Sequence, residues 1–147
     1  MKNVSIVLAA LLGFTAFAAQ ADVENAVKLE KKYSAFAKTA NPEYSGPSAV
    51  DGKFFFNRKI KLANGKEAAC ASCHTSNPAD EGKHMVTGKP IKPLSPMVNF
   101  KRFSDVDKVE EQFTLHCNDI IGSDCTAAEK ANYIAYLLTE KTPSKAK

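Results

Sequence analysis

Apolar residues change rhythm along this chain. From Val4 to Ala19 they are almost continuous. From Asp22 to Ala40 they recur at helical spacing, with Val23, Ala26, Tyr33, Phe36, Ala37 and Ala40 on or near one stripe. Asn41-Pro42 ends that pattern, and a Pro/Gly/Ser loop runs on to Pro47. Ser48-Ala49-Val50-Asp51 is a capping signal that predicts a second helix from Ala49 to about Arg58. Asn64-Gly65 marks a tight turn. Between Thr75 and Ser104, Pro78, Pro90, Pro93 and Pro96 break up any regular structure, and a loop this long in a compact domain is usually functional. Ser104-Asp105-Val106-Asp107 opens a third helix whose face holds Val109, Phe113, His116 and Ile120, and Gly122 closes it. Thr126-Ala127-Ala128-Glu129 opens the last helix, with Ala131, Ile134, Ala135 and Leu138 on its apolar face. No repeat and no strand pattern stands out, so the expected fold class is all-α.

The continuous run at the start follows a single basic residue, Lys2, and ends at Ala19-Gln20-Ala21, a small-x-small cleavage pattern. It is shorter than the roughly 20 residues of a bilayer span and has no basic stop-transfer flank. Residues 1–21 are therefore expected to be a secretory signal peptide cut after Ala21, and residues 22–147 a single mature domain. No membrane anchor is expected, and the location expected is the periplasm. Losing Lys2 leaves 19 basic against 16 acidic side chains, a net of +3. The lysines are interspersed with Glu and Asp, as on a solvated face, so nucleic-acid binding finds no support.

The strongest chemical signal is Cys70-Ala71-Ser72-Cys73-His74. Two thiols three positions apart on a helical turn can each add to a haem vinyl group, and the next residue sets an imidazole under the iron. A thioredoxin-like redox pair would want a βαβ context, which is absent. A zinc site would want a second pair at ligand spacing, and Cys117 and Cys125 are too far apart for that. The cofactor expected is one haem c, bonded to Cys70 and Cys73 and ligated by His74. For the other side of the iron the residues alone leave Met97, His116, His84, Met85 or an open position.

Gly52-Lys53-Phe54-Phe55-Phe56 and Ile134-Ala135-Tyr136-Leu137 resemble the first and last helices of class I cytochromes c. In that family a glycine and an aromatic four residues on pack against the last helix, whose small residue permits a close crossing. The resemblance implies a class I cytochrome c-like helical fold around the haem, with Asp22–Ala40 as an N-terminal helical extension. A closer resemblance covers most of the chain from the haem motif onward. Thr87-Gly88-Lys89-Pro90-Ile91-Lys92-Pro93-Leu94, Val98-Asn99, Arg102-Phe103, Lys108-Val109-Glu110 and Cys117-Asn118-Asp119 with Cys125-Thr126-Ala127-Ala128-Glu129-Lys130 are similar to the sphaeroides haem protein group. That group carries its distal ligand, an asparagine, just before the first extra cysteine. Here the position is His116, which points instead to the bis-histidine cytochromes c″. The resemblance thus implies His116 as distal ligand, with Met97 the alternative expected from ordinary class I proteins.

Cys117 and Cys125, in an exported chain, are expected to form a disulfide. No nucleophile–base pair or carboxylate dyad stands out, so the expected role is electron carrier rather than enzyme. Its expected partners are periplasmic redox proteins, with small gas ligands such as NO or O₂ reaching the reduced state as the alternative. The protein is expected to be a monomer or weak dimer.

Overall fold

The computed structural model describes residues 4–62 and 64–144, without the side chains of residues 4–19 and 21. The side chains on which the leader and its cleavage site were read thus lie outside the described residues. Five helices are present among the described residues: α1 (Val4–Ala40), α2 (Ala49–Asn57), α3 (Cys70–His74), α4 (Val106–Ile121) and α5 (Ala127–Thr139). Two small antiparallel ladders, which the apolar pattern did not indicate, join them. β1 (Ile60–Lys61) pairs with β2 (Glu67–Ala68), and β3 (Gly82–Lys83) pairs with β4 (Pro90–Ile91). Two-residue strands are too short to show an alternation, and here they only close turns within loops. No described helix is long and apolar enough to cross a membrane.

The predicted punctuation sets the helix ends. Ser48 Oγ accepts from Asp51 N–H at 3.1 Å and Asp105 Oδ1 from Lys108 N–H at 3.1 Å, each satisfying an otherwise orphaned donor of a first turn. Thr126 and Glu129 form a reciprocal capping box. Gly122 ends α4 with φ +83°, a left-handed geometry that costs glycine nothing.

Helix α5 is the axis of the molecule, with α1 and α2 packed along it. Because it is covered from two directions, its buried set (Lys130, Ala131, Ile134, Tyr136 and Leu137) spreads round more of its circumference than one stripe. Ala135 and Leu138, assigned from the sequence to its buried face, are only half-buried. On α1 the buried stripe is Ala26, Leu29, Tyr33 and Ala37. Phe36, expected on it, is 55% exposed, and Leu29 takes its place one helical turn from Ala26 and Tyr33.

The tight crossing is α2 on α5, and Gly52 permits it. A Cβ on Gly52 would lie 1.9 Å from the carbonyl oxygen of Asn132. Asn132 in turn accepts from Ser48 N–H at 2.8 Å, so the crossing is also hydrogen-bonded. Phe56, four residues after Gly52, is fully buried between the rings of Tyr133 and Tyr136. Burying a side chain of that size contributes about 1.5–3 kcal/mol.

Helix α4 is held mainly by side chains. Phe113 meets Tyr33 of α1 and Tyr133 of α5 edge-on, with ring centroids 5.8 and 5.3 Å apart. The start of the extension is anchored as well. Asp22 Oδ1 accepts from Phe103 N–H at 2.8 Å, and Asn25 donates to the Phe103 carbonyl at 3.0 Å. Burial pushes the Asp22 carboxyl above its ordinary range, against the opposing pull of those backbone donors and of Arg102.

Candidate functional site

The single turn of α3 is closed by Ser72, whose N–H donates to the Ala69 carbonyl and whose hydroxyl accepts from Ala69 N–H, both at 3.0 Å. This sets the side chains of Cys70 and Cys73 on successive positions of one turn. Both thiols are free, whereas Cys117 and Cys125 are joined, with Cα atoms 5.5 Å apart. Cys70 packs against the hydrophobic core, and burial pushes its thiol up to about 11. Dithiol oxidoreductases work by the opposite shift, a thiol held low enough to ionise. Nor do the described residues contain any cluster of three or more His, Cys, Asp or Glu placed to hold a bare metal ion.

Burial lowers the His74 imidazole to about 4, helped by the nearby charges of His116 and Arg102. It is therefore neutral throughout the physiological range, the form in which histidine ligates metals. Two free thiols one turn apart and a neutral imidazole at the next position fit a covalently attached haem. Thr75, directly after His74, has φ +60°. A β-branched residue in that region carries strain of order 1–3 kcal/mol. It is held there by bonds between its hydroxyl and Asn77, which serves as acceptor at 2.8 Å and donor at 3.2 Å.

Two residues have roles here that sequence reasoning did not assign. A Cβ on Gly82 would lie 2.2 Å from the Cys73 carbonyl oxygen and 3.0 Å from His74 Cα, so only glycine lets β3 lie against the turn. Arg102 donates to the carbonyls of Pro93, at 3.2 Å, and Lys92, at 2.8 Å, and so ties down the proline-rich segment beside His74. Neither role has a sequence signature, because both depend on contacts across a long loop.

That loop is ordered by backbone and side-chain bonds rather than by regular structure. The Pro78 carbonyl accepts from the N–H groups of Leu94 and Ser95, and Tyr136 donates to the Ser76 carbonyl at 2.9 Å. Met97 lies on this arm, its N–H donating to Ser95 Oγ, which itself donates to the Glu140 carbonyl at the end of α5. His84 is exposed and accepts through Nδ1 from Val86 and Thr87 N–H, closing the turn between β3 and β4. Met85 is 53% exposed on that turn.

His116 is carried on α4. The ring is exposed and lies opposite His74, with centroids 6.4 Å apart and planes at 46°. The disulfide starts at the next residue, Cys117, and closes the turn around Gly122. Replacing both bridged cysteines by serine should lower stability by about 2.5 kcal/mol, the chain-entropy value for so short a loop. Chemical denaturation of the two forms measures it.

A protein-family model, described as a domain of unknown function (DUF1924), matches residues 42–137. Cytochrome c″ of Methylophilus methylotrophus is 65% identical over 127 residues, covering 86% of this chain and 88% of that protein. The crystal structure of its oxidised form superposes with a TM-score of 0.81, covering 84% of this chain and all of that one. The structure of oxidised SHP, an oxygen-binding cytochrome c, superposes at 0.67 with 30% identity, covering 78% and 96% of the two chains. A c-type protein SHP of Cereibacter sphaeroides is 39% identical over 72 residues, 49% of this chain and 55% of that protein. The helical frame, the haem-attachment turn and this degree of identity place the chain in the cytochrome c″ family, as a c-type cytochrome that carries electrons on one haem c.

Proposed function

We propose that this protein is an exported, periplasmic one-electron carrier in which His74 and His116 are the two axial ligands, and that His116 lets go on reduction and takes up a proton. The observation that carries the reading is the 6.4 Å between the two ring centroids. Nitrogen–metal bonds of about 2.0 Å on each side of one ion would set two imidazole centres a little over 6 Å apart. The solution structure of the Methylophilus cytochrome c″ is described as giving insight into haem-ligand detachment, which supports release as the working step.

When bound, the haem supplies an iron that alternates between ferric and ferrous. Cys70 and Cys73 would anchor it, and His74, half-buried on a turn locked by Ser72 and Gly82, would keep its place in both states. His116 is held differently, on a helix that meets its neighbours mainly through side chains. It would hold ferric iron more firmly than ferrous. Once released, the imidazole is open to a proton, so its release links electron uptake to proton uptake. The redox partners are periplasmic proteins, met as single-electron donors and acceptors.

Binding of a gas ligand in the reduced state is the second reading, favoured by the likeness to an oxygen-binding cytochrome c. Asn118 uses one amide hydrogen on the Thr114 carbonyl of its own helix, at 2.7 Å, and keeps a second donor. The ligand assignment is tested by Met97→Leu, which should leave the low-spin ferric spectrum unchanged. Loss of that spectrum would hand the distal position to Met97.

A further inference from the structure

Lys130, the fourth residue of α5, is 8% exposed, and the attachment chemistry makes no use of it. A buried lysine is costly unless paired, and this one is paired three ways. Its ammonium lies 2.9 Å from Asp124 Oδ1 and 3.0 Å from Oδ2. It also stands 5.5 Å from the ring centre of Tyr33 on α1 and 6.0 Å from that of Phe113 on α4, within cation–π range. Those two rings touch each other edge-on.

These contacts converge on the helix that carries His116. Phe113 is three residues before His116, on the same side of α4. Asp124 is next to Cys125, whose disulfide partner Cys117 directly follows His116. Glu110, one turn further back on α4, accepts from Tyr33 at 3.2 Å and from Lys32 at 2.7 Å. Lys130 thus touches α1, α4 and the disulfide turn together. We propose that Lys130 is a positioning residue for His116: by locking α4 to α1 and to the disulfide turn, it sets how firmly His116 keeps its place opposite His74. The proposal rests on the reading of His116 as distal ligand.

The test is the rate at which cyanide binds the ferric holoprotein, which requires His116 to leave first. Lys130→Met keeps the volume but removes the charge, and should speed cyanide binding at least tenfold. Asp124→Asn should act in the same direction, and carries the test if Lys130→Met does not accumulate. Lys130→Arg, which keeps charge and partner, should stay near the wild-type rate. His116→Ala should bind cyanide fast, and Lys130→Met should add nothing to it. Wild-type rates in both Lys130→Met and Asp124→Asn, with far-ultraviolet dichroism unchanged, would overturn the positioning role while leaving the ligand reading intact. A wild-type rate in His116→Ala would overturn the ligand reading, and the positioning role with it.

Discussion

His116→Ala is expected to raise the reduction potential at pH 8 by about 120 mV or more and to make the ferric protein high-spin. For a one-electron couple, each factor of ten in the preference of a ligand for one oxidation state is worth about 59 mV. A histidine bound in 99 of 100 ferric molecules and released in the ferrous ones favours the ferric state about a hundredfold, and tighter binding would enlarge the shift. Removing it returns that preference, less whatever water at the same position supplies. Potentiometric titration of the two holoproteins measures the difference. If His116 were instead a surface residue on α4, the variant would match wild type in potential and in spin state.

The second large effect is in the pH dependence. On the proposed mechanism the reduced protein binds one more proton than the oxidised one wherever the released imidazole is charged. Acid therefore favours reduction. The potential should fall by about 59 mV per pH unit while the released imidazole is charged and level off once it is neutral. His74 cannot supply this slope, since on the same mechanism it keeps its place in both states. Potentials measured from pH 5 to 8 on wild type and His116→Ala check both parts: the slope should be present in the first and absent in the second.

Much of the frame was legible because it depends on local chemistry. The caps at Ser48, Asp105 and Thr126 and the stop at Gly122 are satisfied within a few residues, so sequence spacing carries them. The attachment turn is equally local. What escaped depends on who packs against whom. Phe36 and Leu29 both fit a helical stripe, and only the placement of α5 decides that Leu29 goes inside. Gly52 was singled out by resemblance, but its reason, a carbonyl 1.9 Å from any added Cβ, lies 80 residues away at Asn132. Gly82 and Arg102 act through the folding back of a long loop that has no periodicity to read. Lys130 looked like one more solvated lysine until three elements closed around it. His116 was picked out by resemblance, since helical periodicity alone favoured a core histidine over a ligand.

The most direct test is the optical and paramagnetic-resonance spectrum of the holoprotein, first oxidised and then reduced with dithionite. The account predicts low-spin bis-imidazole ferric haem that becomes high-spin on reduction, as His116 leaves and His74 stays. Low-spin haem in both states, with a methionine signature, would contradict it and leave an ordinary electron shuttle with Met97 as its ligand.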